Sequence, residues 1–188
     1  MEADAGPAWR LRRGRQSVAD YFRCKHSTLL STLRGGPMST LLDPLARQQL
    51  RDRFQTLRPD SLRQGGRMSP GGMVCHLTDS FLVCMGERDS ATRVTLASRT
   101  LMRFVAISTP MPWPKGLPTG PAVDQEIGGS APGDFDADVA ELLNVMERFV
   151  AEMDAKNWAH PIFGAISAKE WGRWGWRHMD HHGRQFGI

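Results

Sequence analysis

Between residues 139 and 153 the apolar side chains fall at Val139, Leu142, Leu143, Met146, Phe149, Val150 and Met153. That spacing puts them on one wide face of a helix running from about Asp136 to Asp154. A face of this width has to be buried against other elements, and the rest of the chain supplies helices to do so. Asp43-Pro44 and Ser69-Pro70 each set a capping side chain before a proline at the first helical position. After the first, Leu45, Leu50, Phe54 and Leu57 run near helical spacing to a stop at Pro59. After the second, Met73, His76, Leu77, Phe81 and Cys84 run to Gly86, a C-cap residue. A further helix is expected over about residues 91–107, with Val94, Leu101, Phe104 and Val105 as its apolar stripe. Ser167-Ala168-Lys169-Glu170 is a capping box. The helix it opens carries Trp171, Trp174, His178 and His182 down one side and ends near Phe186. No segment alternates with a strand period. The expected fold is all-α, a bundle of four main helices with room for a fifth.

Residues 108–133 interrupt this pattern with Pro110, Pro112, Pro114, Pro118, Pro121 and Pro132 and five glycines. The tract forms a long Pro/Gly-rich loop between the third and fourth helices. Loops of this length inside a domain are uncommon and tend to serve function. Met111, Trp113 and Leu117 are out of place in a purely solvated linker, so part of the loop is expected to pack as a lid.

The net charge of +4 sits at one end. Residues 1–37 hold seven basic and three acidic side chains, which is the whole surplus of 24 basic over 20 acidic. The remaining 151 residues are neutral and lack the basic footprint of a nucleic-acid binder. The front segment lacks the apolar stretch of a secretory signal, and Glu2 and Asp4 argue against a mitochondrial presequence. It is expected to be a basic extension outside the folded core, with the domain at 38–188 opening at Met38 after the breaker Gly35-Gly36-Pro37. Three cysteines (Cys24, Cys75, Cys84) do not make a disulfide framework and point to a reducing compartment, the cytoplasm. No apolar run approaches the roughly 20 residues that span a bilayer. The expected partner is a small-molecule substrate, not nucleic acid or membrane, with a homodimer as the mild expectation for assembly.

His178 and His182, four residues apart, share one helical face with Cβ atoms about 6 Å apart. Two imidazoles so placed can hold one metal ion. His76 is the candidate third ligand, since it lies on the apolar stripe of its helix. Two plainer readings stand beside this one. Buried histidines also serve as hydrogen-bonded core residues, and an H-x-x-x-H spacing arises by chance in a chain with six histidines. Asp79, three residues after His76, and Gln185, three after His182, are candidates to orient an imidazole; for Asp79 a solvated charge is the alternative. Cys75 and Cys84 are expected as buried apolar residues, with Cys75 turned away from His76. His160 before Pro161 is expected to fix a turn. Trp171, Trp174 and Trp176 either wall a pocket or form plain core.

The ending His160-Pro161-Ile162-Phe163-Gly164, Ser167, Glu170-Trp171, then His178-Met179-Asp180-His181-His182 with Gln185-Phe186-Gly187, resembles the DinB-like superfamily. More narrowly, it resembles that superfamily's branch of uncharacterised bacterial proteins with an HPxFG…HxxHHxxQFG finish. Gly66-Arg67-Met68-Ser69-Pro70, followed by Met73 and His76, matches the other half of the pattern, so the resemblance covers about residues 39–188. It implies a four-helix bundle holding a metal through one histidine of the second helix and two of the last, which fall on His76, His178 and His182. Related families include S-transferases and isomerases that use the low-molecular-weight thiols bacillithiol or mycothiol, and members that have lost both histidines and activity.

Three neutral histidines leave a divalent ion (Zn, Ni or Fe) its full charge and open positions, and such an ion lowers the pKa of water or a thiol. The expected function is therefore a metal-dependent thiol S-transferase or hydrolase acting on a small electrophile. The alternatives are a non-catalytic metal-binding or structural bundle, and an interaction protein that reaches an acidic partner through its basic front segment.

Overall fold

Each proline-led cap starts a helix. In the computed structural model, which describes residues 38–114 and 116–188, α1 is Pro44–Gln55 and α2 is Pro70–Met85. The Asp43 carboxylate accepts from the Leu45 N–H at 3.0 Å, and Ser69 Oγ accepts from the Gly72 N–H at 3.0 Å. α2 ends at Gly86 with φ +75°, a conformation that favours glycine. α3 covers residues 96–108 and contains the π-wound stretches Ser98–Met102 and Phe104–Ser108. α4 is Phe135–Glu152, capped by Asp134, and α5 is Ala168–Gly183, opened by the reciprocal Ser167–Glu170 capping box. Short 3₁₀ turns lie at Pro121–Val123 and Arg184–Phe186. The basic segment 1–37, with Cys24 and His26, lies outside the described residues.

The protein is mostly helical, with the long loop between α3 and α4 where the prolines put it. The core is built from the stripes of α1, α2, α4 and α5. Leu50 and Phe54 meet Leu77, Phe81, Leu142, Met146, Phe149 and Trp171, all but excluded from water. Phe81 packs on Phe149 (4.9 Å between centroids) and on Trp174 (5.7 Å). Among the described residues no helix is long and apolar enough to cross a membrane.

Two expectations need correction. The stripe assigned to the third helix does not face the core. Leu101 is 68% and Phe104 60% exposed, Val105 is also exposed, and Ser98 and Ile107 are the buried positions. The cause is the winding. Nine residues make about two and a half α-turns but roughly two of the wider i→i+5 turns, so Ser98 and Ile107 come onto one face and the 3.6-period stripe is carried outward. Polar contacts help hold α3: Arg103 forks onto the Glu170 carboxylate with two bonds of 2.7 Å, and Ser98 Oγ donates to the Ile162 carbonyl. The second correction is a strand pair. β1 (Ala159–His160) and β2 (Gly164–Ala165) run antiparallel with Ala159 opposite Ala165. Strands of two residues are too short to show an alternating pattern.

The segment leading into α1 crosses α5 at two glycines. Leu41 N–H donates to the Gly172 carbonyl at 2.9 Å. A Cβ at Gly172 would lie 2.5 Å from Thr40 Oγ1, and one at Gly175 would lie 2.5 Å from Leu41 Cδ1 and 3.2 Å from Phe81 Cε1. Glycine to alanine within a helix normally stabilises by roughly 1 kcal/mol. Here the overpacking reverses the sign, and Gly175→Ala is expected to destabilise by about 1–3 kcal/mol in denaturant unfolding. A stabilised variant would contradict this packing.

Candidate metal centre

α5 carries His178 and His182 on its inner face, and α2 brings His76 against them. The three rings meet edge to face, with centroids 5.2 Å apart for His76–His178, 4.7 Å for His76–His182 and 4.9 Å for His178–His182. One nitrogen from each ring lies within 4.8 Å of the others, and all three residues are between 5% and 8% exposed. His76 Nε2 and His178 Nε2 are 3.3 Å apart. Burial holds all three rings below the ordinary histidine pKa, and for His178 and His182 the neighbouring imidazoles push in the same direction. The cluster is therefore neutral near pH 7.

The outer nitrogens decide which way each ring presents its lone pair. His76 Nδ1 donates to the Val123 carbonyl at 2.7 Å, so its Nε2 carries a lone pair inward. His182 Nδ1 donates to Gln185 Oε1 at 3.3 Å, which leaves its Nε2 likewise unprotonated. Among the described residues His178 has no partner on Nδ1, and in this arrangement it donates from Nε2 to His76 Nε2. Two of the three rings are thus already set as ligands, and the third differs only by its tautomer. Two nitrogens at about 2.0–2.1 Å from one tetrahedral ion lie about 3.3 Å apart, the spacing seen for His76 and His178. The donor set fits a divalent transition metal, and among the described residues the group includes no carboxylate or thiolate.

Gln185 touches both neighbouring histidines of α5, since its Nε2 also approaches His181 Nε2 at 3.3 Å. It is held in turn by the segment before α2. Gln64 N–H donates to the Gln185 carbonyl, and Gly66, with φ +76°, passes so close that a Cβ there would lie 2.8 Å from Gln185 Oε1. Asp79 is not a solvated charge. It is fully buried, and its hydrogen bonds go to Arg88, Gln125 and Ser130 instead of to an imidazole. Cys75 turns away from His76 toward Asp138, and burial pushes its thiol up to about 11, so it is not a ready nucleophile. Asp180 pairs with Arg53 and Arg184.

The loop contributes two features that side-chain motifs did not reveal: the Val123 carbonyl, which has no side-chain signature, and the placement of Trp113. Trp113 lies over His178 (5.6 Å) and His181 (5.7 Å), donates from Nε1 to the Ala106 carbonyl at 2.9 Å, and has the Arg177 guanidinium on its ring. Arg177 also donates to the carbonyls of Thr109 and Met111. Met111 and Leu117, expected with Trp113 in the lid, are exposed. Of the three tryptophans on α5, Trp174 packs against His178 (5.2 Å), Trp171 belongs to the core, and Trp176 is half-buried.

The DUF1569 family profile, described as a protein of unknown function, matches residues 41–187. The chain belongs to that family. The match takes in His76, Asp79, His178, His182 and Gln185. Comparison with the curated proteins and with the solved structures finds no match.

His160 stands behind the centre, stacked on Phe163 and beside Trp171 and Trp174. Its Nδ1 accepts from the N–H groups of Ile162 (3.1 Å) and Phe163 (3.3 Å), which closes the turn between β1 and β2. An accepting Nδ1 requires the neutral ring, and burial pushes this histidine down to about 3. The unfolded chain binds the proton below about 6.5 while the folded chain refuses it, so stability falls as pH drops from about 6.5 toward 3. His160→Asn keeps an acceptor and removes the titration. Its unfolding free energy is expected to fall less steeply between pH 6 and 4, by about 1.4 kcal/mol per pH unit. An unchanged slope would show that His160 does not carry this proton linkage.

Proposed function

We propose that this chain is a DinB-like four-helix bundle in which His76, His178 and His182 hold a divalent transition metal, zinc, nickel or iron, and that it catalyses thiol S-transfer to, or hydrolysis of, a small electrophile. One observation carries the reading: three neutral imidazoles converge from α2 and α5, and among the described residues no fourth side-chain ligand stands with them. Structural zinc sites normally close with four protein ligands, whereas three leave room for water or substrate. Bound there, a divalent ion supplies Lewis acidity that brings the pKa of a thiol or water toward neutrality.

The chain's own residues prepare that chemistry. Val123 and Gln185 fix the outward protons of His76 and His182, which orients the rings and raises their basicity as ligands. Trp113 and Trp174 pack on His178 and exclude bulk water from that side. Neutral donors, with no carboxylate in the group among the described residues, leave the ion's charge undiminished. A non-catalytic bundle is the second reading. The near-complete burial of the three rings, with Trp113 over His178, favours it.

Elemental analysis of the untagged full-length protein, purified without chelator, should find about one equivalent of a transition metal. The double variant His178→Ala/His182→Ala should contain none while keeping its helical circular dichroism. Metal retained in the double variant would refute the site. Loaded protein that turns over neither thiol-plus-electrophile mixtures nor hydrolysable esters and amides, yet gains thermal stability from the metal, would decide for the non-catalytic bundle.

A further inference from the structure

The carbonyl that orients His76 belongs to a turn that two arginines hold: Arg67, paired with Asp124 and Glu126, and Arg88, paired with the buried Asp79. Asp79 lies one helical turn after His76 on α2 and is completely buried. Its carboxylate accepts from Arg88 Nη1 (2.9 Å), Gln125 Nε2 (3.1 Å), Ser130 N–H (2.7 Å) and Ser130 Oγ (2.8 Å). Arg88 spreads its remaining donors over the same turn. Its Nε reaches the Ala122 carbonyl at 2.9 Å, Nη1 also reaches Ser130 Oγ, and Nη2 reaches the Gly128 carbonyl. Val123 is therefore pinned on both sides, through the carbonyl of Ala122 before it and the side chain of Gln125 after it. The turn is stiff in itself, because the Asp124 carbonyl collects the N–H groups of Ile127, Gly128 and Gly129. A Cβ at Gly129 would lie within 3 Å of Gln125 and Asp124 atoms, so the turn closes only around glycine.

We infer that Asp79 and Arg88 are positioning residues for His76: they hold the Val123 carbonyl against Nδ1 and thereby keep the Nε2 lone pair of His76 facing the other two histidines. The contact is indirect, through the backbone of residues 122–125, and it acts on the ring tautomer and not on its charge. The inference rests on His76 being a metal ligand only for its consequence in metal binding. The orientation of the ring can be read without any metal. Every partner of the Asp79 carboxylate is a donor, so Asp79→Asn turns one of its two acceptor atoms into an amide facing other donors and releases the turn.

The test uses the full-length chain with ring-nitrogen NMR on metal-free protein and competition titration with Zn²⁺ against a chelator. The native protein should show His76 as the Nδ1–H tautomer alone. In Asp79→Asn the two tautomers should mix and Zn²⁺ affinity should fall about tenfold, at the low end of what outer partners of metal ligands contribute. Ser130→Ala removes one hydroxyl and keeps the ion pair; it should show the same change in smaller measure and carries the test if Asp79→Asn does not fold. Leu142→Ala, a destabilising change in the core on α4, should leave tautomer and affinity as in the native protein. An unchanged tautomer in Asp79→Asn or Ser130→Ala, or an equal change in Leu142→Ala, would overturn the inference. Native protein that binds no Zn²⁺ would overturn the metal reading instead, and the tautomer result would still decide the role of Asp79 and Arg88.

Discussion

Three imidazoles packed edge to face inside a helical core cannot all carry protons on their inner nitrogens. Burial holds all three below the ordinary histidine pKa, with neighbouring imidazoles adding to this for His178 and His182, so each neutral ring has one proton to place. The surroundings place two of the three outward, on the Val123 carbonyl and the Gln185 amide. Much of the local architecture follows from those two bonds. The loop between α3 and α4 must fold back over α2 to bring Val123 to His76. The segment before α2 must pass over Gln185 with a glycine at its closest point. Among the described residues His178 has no such partner, which makes it the ring whose tautomer is least constrained.

The helices give this cluster a rigid frame. α5 meets the N-terminal approach through Gly172 and Gly175, and its tryptophans lock it to α2 and α4 through Phe81 and Phe149. His178 and His182 are held on a helix whose position is set by aromatic packing on one side. His76 is held by a helix capped at both ends. The loop completes the site. It supplies the Val123 carbonyl at one end and the Trp113 cover at the other, each tied down by an arginine, Arg88 for the first and Arg177 for the second.

What could be read in the residues beforehand was whatever depends on local spacing. Caps before prolines marked α1 and α2, the capping box marked α5, and four-residue spacing put His178 and His182 on one face. His76 followed from its place on an apolar stripe, and Gln185 from its distance to His182. What stayed hidden depends on backbone groups or on unusual winding. A carbonyl such as that of Val123 leaves no trace in side-chain types. The π turns of α3 moved Leu101, Phe104 and Val105 outward, against a stripe drawn at 3.6 residues per turn. Asp79 looked either like a partner of His76 or like a surface charge. Its actual partners, Arg88 and Ser130, are 9 and 51 residues away and come together only through the fold of the loop.

The central claim is that His76, His178 and His182 together are a metal ligand set. X-ray absorption at the zinc edge of the loaded full-length protein tests it most directly. The structure predicts three imidazole nitrogens and light-atom scatterers at about 2.0–2.1 Å, with no sulfur contribution. Sulfur at about 2.3 Å, or a first shell without the imidazole multiple-scattering pattern, would place the metal elsewhere and contradict the account.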